Sequence, residues 1–204
     1  DDVAIAANKQ KSKQVGGKNA NSSSPSQSQV DNLLGHYQNG RYDEAEKLAV
    51  IVTQKFPKYQ LGWKVLGALL KQTGRVLESL VPSQKATVLS PQDAEAHNNL
   101  GITLQELDRL EEAEISLRQA VTLRPDFPIA HNNLGNTLQE LGRLEEAEAS
   151  YTQAIALKPD SPESYNNLGN TLQELARLEE AYASYTQAIA LKPDYAEAHY
   201  SLGN

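Results

Sequence analysis

Three histidines, His97, His131 and His199, fall at one place of a recurring phrase, the residue type and regularity that a row of metal ligands would need. Packed helices lie about 8–10 Å apart, whereas zinc holds a ring nitrogen at about 2.1 Å, so histidines one phrase apart cannot share an ion. Tyr165 also interrupts the row. The histidines are therefore read as structural, and neither metal nor cofactor is expected. Carboxylate pairs, Glu111-Glu112, Glu145-Glu146 and Glu179-Glu180, are the second candidate. Acid–base chemistry needs two carboxyl groups facing each other across a cleft. These pairs instead open helices, where negative charge favours the N-terminus, and run along a solvated edge. No nucleophile motif, phosphate loop or zinc pattern accompanies them, so no catalytic residue is assigned and the chain is read as no enzyme.

The informative chemistry is that of amides. Asn98, Asn99 and Gln105, then Asn132, Asn133, Asn136 and Gln139, then Asn166, Asn167, Asn170 and Gln173 recur through the same phrases. Each side chain offers donors and an acceptor, so a column of them can pair with the main chain of an extended peptide whatever its side chains. The competing reading is a solvated helix surface copied by duplication, since duplication preserves neutral residues as faithfully as useful ones.

The elements that carry these residues follow from the spacing of prolines. Pro57, Pro91, Pro125, Pro159 and Pro193 stand 34 residues apart, and windows 128–161 and 162–195 agree at 28 of 34 positions, so one is a near copy of the other. Such a period marks a stacked array whose units each bury their apolar face against neighbours. Leu100, Leu104 and Leu107 stripe a first helix, and Leu110, Ala113, Leu117 and Ala120 stripe a second. Gly101 leaves room for the two to approach, and Ser161 before Pro162 marks a helix start. Gly142 suits a left-handed helix end, a place that Asp108 and Ala176 fill less comfortably.

With 204 residues, 39% of them hydrophobic and few aromatic, the composition suits an elongated solenoid. A net charge of -7 argues against nucleic acid as a partner. No apolar run reaches the length of a membrane span. Cys is absent, which removes disulfides and thiolate sites and leaves the redox compartment unread. Met is absent too, so the chain is expected to be N-terminally processed or part of a longer one.

The division expected is a flexible basic tail over 1–27, a divergent first repeat over 28–59 and an atypical second over 60–93. Regular repeats follow over 94–127, 128–161 and 162–195, then a partial sixth over 196–204 holding a first helix only. The tail carries Lys9, Lys11, Lys13 and Lys18 against an acidic body, which permits docking of tail to body. The first repeat reads as one residue short around its loop. In the second, Pro82 falls inside a helix, where it removes an amide donor and predicts a kink or break near Leu80-Val81.

The spaced pattern on His97, Leu100, Gly101, Leu104, Ala113, Leu117, Ala120 and Pro125 resembles the tetratricopeptide repeat family. It returns on His131, Leu134, Gly135, Leu138, Ala147, Tyr151, Ala154 and Pro159. A third copy falls on Tyr165, Leu168, Gly169, Leu172, Ala181, Tyr185, Ala188 and Pro193. The match is strong over 94–204 and weaker over 28–93, where Ser79 and Ser83 replace the usual apolar residues.

The resemblance implies an all-α, right-handed superhelical solenoid of antiparallel helix pairs, whose first helices line the concave face. It would place the amides at exposed positions there. An asparagine ladder before the Leu-Gly pair is similar to that in the repeat arm of O-linked N-acetylglucosamine transferases. That likeness implies sequence-tolerant peptide holding by Asn99, Asn133 and Asn167. Family members that clamp acidic peptides use Lys and Arg where this chain has Asn98, Asn133, Glu163 and Asn167, so such clamping is disfavoured.

The reading is thus an interaction scaffold whose partner is a protein or peptide. A second reading is the substrate-holding arm of a larger glycosyltransferase or sulfotransferase. A third is end-to-end self-association into a filament, because Tyr200 and Leu202 lack a following helix. The family resemblance implies a cytoplasmic setting, and processing with polymerisation would imply the cell surface.

Overall fold

The computed structural model describes residues 23–202, so the expected flexibility of the tail lies outside the described residues for all but its last few. Among the described residues the chain forms α-helices and no strand. They alternate as first and second members of pairs. The first members are α1 (Gln27–Gln38), α3 (Gln60–Gln72), α5 (Ala94–Glu106), α7 (Pro128–Glu140), α9 (Pro162–Glu174) and the short α11 (Ala196–Leu202). The second members are α2 (Tyr42–Lys55), α4 (Val76–Leu89), α6 (Leu110–Leu123), α8 (Leu144–Leu157) and α10 (Leu178–Leu191). None is long and apolar enough to cross a membrane.

Local chemistry sets the boundaries. Ser26 forms a capping box with Gln29, Asp93 accepts from the backbone of Glu95 and Ala96, and Ser161 accepts from that of Ser164. Each satisfies amides that a helix start would leave unpaired. First helices end in a left-handed turn: in α7 the Gly142 amide donates to Gln139 and the Arg143 amide to Leu138, at 2.9 and 2.8 Å. The left-handed place is held by Gly40, Gly74, Asp108, Gly142 and Ala176, with φ between 57° and 77°.

The core lies between paired helices and continues from pair to pair. Leu117, Ala147 and Tyr151 are fully buried, and Leu134 and Leu138 nearly so. Burying one such leucine contributes about 2 kcal/mol. A Cβ on Gly135 would stand 2.6 Å from the Tyr151 ring, so the aromatic lies on bare backbone. Gly101 makes the same room for Leu117, and Gly169 for Tyr185.

The backbones of consecutive first helices approach one another along the whole array, whereas those of consecutive second helices stand farther apart and are bridged by long side chains such as Arg118 to Glu146. The first helices therefore form the inner, concave face, and the second helices fan outward.

One expectation about the early repeats is corrected, and of the kink or break expected at Pro82 the break is absent. The loop of the first repeat, residues 39–41, is three residues long, as is 73–75, and keeps the 34-residue register from Gly40 to Gly74. The helix α4 runs unbroken from Val76 to Leu89 with Pro82 inside it. Pro82 is buried, and it and Ser83 fill the space above Gly67, so packing offsets the lost backbone bond. Ser79 is also fully buried and is satisfied by the Val76 carbonyl at 2.8 Å.

Candidate peptide-binding groove

The first helices α5, α7 and α9 carry every amide singled out above, and much of that amide chemistry is already engaged between repeats. Asn133 Nδ2 donates to Asn98 Oδ1 at 2.9 Å, and Asn167 Nδ2 to Asn136 Oδ1 at 3.0 Å. Asn132 Oδ1 accepts from Ser164 Oγ at 3.0 Å. The phenol of Tyr151 donates towards Asn136 and Gln139, and that of Tyr185 towards Asn170 and Gln173. These bonds cross from helix to helix, so the ladder also ties the array together.

Exposure at three positions is therefore corrected. Asn98, Asn99 and Asn166 are 4%, 9% and 5% exposed, and so are buried. Asn132, Asn133, Asn136, Asn167, Asn170, Gln105 and Gln139 are half-buried, and Gln173 is exposed. Asn99 is the ladder's irregular member. The place that Asn98 holds for Asn133 is taken for Asn99 by Lys64, which offers no acceptor, and among the described residues Asn99 Nδ2 has no partner.

Lys64 anchors a charge cluster that the sequence reading missed. Its Nζ lies 2.6 Å from Glu95 and 3.0 Å from Asp93, and both Lys64 and Glu95 are nearly buried. Gln60 donates to Asp93 at 2.8 Å, and Arg124 reaches Glu95 at 3.2 Å. Burial pushes the Asp93 carboxyl up, but Lys64, the Ala96 amide and Gln60 together bring it below its ordinary value. The signal was a lysine at the amide register, with two carboxylates 29 and 31 residues on.

A second row runs across the ends of the first helices. Lys71 approaches Glu106 at 3.9 Å, Gln105 donates to Glu140 at 2.6 Å, and Gln139 donates to Glu174 at 2.5 Å. Asn136, Gln139, Glu140 and Glu174 line a shallow depression of about 290 Å³. Burial, helped by the charges of Glu140 and Glu174, raises the Tyr151 phenol well above its ordinary value.

The other chemical candidates are accounted for structurally. His97, His131 and His199 bond through Nε2 to the carbonyls of Pro91, Pro125 and Pro193, as the Trp63 indole does to Pro57. Of the carboxylate pairs, Glu112, Glu146 and Glu180 receive forked bonds from Arg109, Arg143 and Arg177. Those hydrogen bonds hold the three carboxyls below their ordinary values. Arg143 and Arg177 also reach back to Glu114 and Glu148 of the preceding repeat.

Residues 106–142, 135–176 and 174–204 match a family model described as TPR repeat, and residues 84–115 match one described as tetratricopeptide repeat. The chain belongs to the tetratricopeptide repeat family. The tetratricopeptide fold is also that of similar solved structures. One, described as MamA protein, has a TM-score of 0.72 and 22% identity, covering 83% of this chain and 92% of that one. A second is YrrB, a TPR protein with an unusual peptide-binding site, at TM-score 0.74 and 18% identity, with 86% and 91% covered. A third is TTC0263, a thermophilic TPR protein of Thermus thermophilus, at TM-score 0.68 and 25% identity, with 87% and 96% covered. No curated protein matches the chain.

Proposed function

We propose that this tetratricopeptide repeat protein is a non-enzymatic scaffold that holds an extended peptide or protein segment along its concave face. The observation that carries this reading is the continuous inner surface of touching first helices, lined by half-buried Asn132, Asn133, Asn136, Gln139, Asn167 and Asn170. An amide that already bonds a neighbour keeps a second lone pair or N–H, so such a row can take up a peptide backbone without dismantling the array. The printed description of YrrB as having a peptide-binding site supports the assignment. The engagement of the candidates singled out above fits the non-enzymatic part: the three histidines bond carbonyls, and Glu112, Glu146 and Glu180 are held by arginines.

Selection of binders from a random twelve-residue peptide pool, followed by titration of the isotope-labelled protein, tests the reading. Amide resonances of α5, α7 and α9 are expected to shift. Shifts confined to α6, α8 and α10 would overturn it, as would a pool from which nothing binds.

A further inference from the structure

The helix α4 is amphipathic the wrong way round. Its buried side carries the hydroxyls of Ser79, Ser83 and Thr87 beside Pro82 and Ala86, whereas Leu77, Val81 and Val88 are 74%, 58% and 73% exposed. At about 100° of turn per residue, Leu77, Val81, Gln84 and Val88 fall on one line down the helix, opposite the buried side. A helix serving its own repeat alone would turn that stripe inward. The other repeats hold charged or small residues at these places: Leu77 is matched by Asp43, Glu111, Glu145 and Glu179, and Val81 by Lys47, Ala149 and Ala183. Only α6 continues the stripe, because Ile115 stands in the register of Val81 and is exposed as well.

Steps of four, three and four residues are those of a seam that packs against a second helix, and a contiguous exposed apolar patch marks an interaction site. The flanks of the seam say which helix. On one flank stand Glu78 and Lys85, both exposed, and Arg75 joins Glu78 to Glu46, so this flank faces α2. Half-buried Leu80 lies on the opposite flank, towards Ile115 of α6. When two copies of α4 run antiparallel about a two-fold axis, Leu77 comes level with Val88 of the second copy and Val81 with Gln84. Glu78 then sits beside Lys85 of the second copy, twice over, while the apolar flanks meet each other. The face is complementary to itself in both shape of pattern and sign of charge.

We propose that α4 with the adjoining part of α6 is a homodimer interface, in which two copies pack outer face to outer face through an antiparallel α4 pair. The inner faces then open on opposite sides of the dimer, so that one assembly presents two grooves. Because the interface lies away from the amides, it stands whether or not the groove takes up a peptide. The seam is short, and a dissociation constant of about 10–100 µM is expected.

Sedimentation velocity of the full chain from about 5 µM to about 500 µM tests the proposal, with a shift from monomer to dimer expected across that range. Val81→Glu is expected to hold the chain monomeric throughout, with unchanged helicity by circular dichroism, since Val81 is exposed within one copy. Lys85→Glu sets like charges together twice and is expected to weaken the dimer about tenfold, and adding Glu78→Lys to it is expected to restore the affinity. Cysteine is absent from the chain, so introduced thiols report the geometry. Leu77→Cys mixed with Val88→Cys is expected to form a disulfide under mild oxidation, whereas either variant alone is not, its two thiols standing about 16 Å apart along the seam. A monomer mass across the whole series would overturn the proposal, as would a dimer that survives Val81→Glu. Disulfides that each single variant forms with itself, and the mixture does not, would overturn it too.

Discussion

Asn133 donates its side-chain amide to the Asn98 side-chain carbonyl 2.9 Å away, and so ties α7 to α5 across the inner face. Asn99 stands at the equivalent place one repeat earlier and finds no acceptor for its Nδ2 among the described residues. Two residues alike in sequence thus differ in energetic role. Asn133→Ala is expected to lower unfolding free energy by about 1 kcal/mol, the net worth of one such bond. Asn99→Ala removes a donor that was already unmet, and stability should stay level or rise. Urea melts of the two variants check this, and equal losses would show that the bond carries no weight.

The same comparison separates binding from stability. Changing Asn99, Asn133 and Asn167 together to Ala should weaken the selected peptides, each lost amide pair costing on the order of 1 kcal/mol. Part of any loss would come from loosened packing, because Asn167 also donates to Asn136 at 3.0 Å. Calorimetric titration alongside thermal melts distinguishes the two contributions.

Tyr151 is fully buried over Gly135, where a Cβ would stand 2.6 Å from the ring. Gly135→Ala is therefore expected to cost about 1–3 kcal/mol through overpacking. Pairing it with Tyr151→Leu should recover part of the loss, because the third repeat already seats Leu117 in the matching place. A double variant no more stable than Gly135→Ala would mean that the ring is not what the new methyl meets.

These particulars show what was legible in sequence. A 34-residue period fixes the register of Gly135 against Tyr151, since small and large residues at set offsets can face each other only when helices pair within the repeat. The place of the amides on first helices followed from the same register. Their partners did not, because Asn133 reaches Asn98 of the preceding repeat through a rotamer and a helix-to-helix spacing that no linear pattern encodes. The exposure expected of Asn98, Asn99 and Asn166 failed for that reason. The break expected at Pro82 failed differently: propensity measures an isolated helix, whereas α4 is held by its packing on Gly67. Lys64 went unnoticed because its partners Asp93 and Glu95 lie in the next repeat.

The Lys64 cluster makes a pH prediction. Burial raises the Asp93 carboxyl, the charge of Lys64 and the donated bonds lower it, and the net direction is down. A folded-state value below the unfolded one stabilises the protein above about pH 4, the ordinary range of an aspartate, and is lost as pH falls through the depressed value. The wild type should therefore lose stability more steeply than Asp93→Asn between about pH 4 and pH 2. Parallel curves would show that Asp93 is not held down by its surroundings.

The last prediction turns on backbone shape. Gly40, Gly74 and Gly142 hold the left-handed turn after their first helices, but Asp108 and Ala176 adopt the same conformation with φ of 57° and 58°. A Cβ in that region crowds the following carbonyl, at a cost of about 1–2 kcal/mol, and an aspartate offsets part of it by local hydrogen bonding while an alanine has no such recourse. Glycine removes the clash but adds freedom to the unfolded chain, which takes back somewhat less than it gives. Ala176→Gly is accordingly expected to raise unfolding free energy by about 0.5–1 kcal/mol, with a smaller gain for Asp108→Gly. The turn bonds that close the motif, Ala176 to Gln173 and Arg177 to Leu172, both at 2.9 Å, involve only backbone and survive the change. Denaturant melts of the two variants decide the matter, and a loss of stability in Ala176→Gly would mean that the strain at this turn is absent.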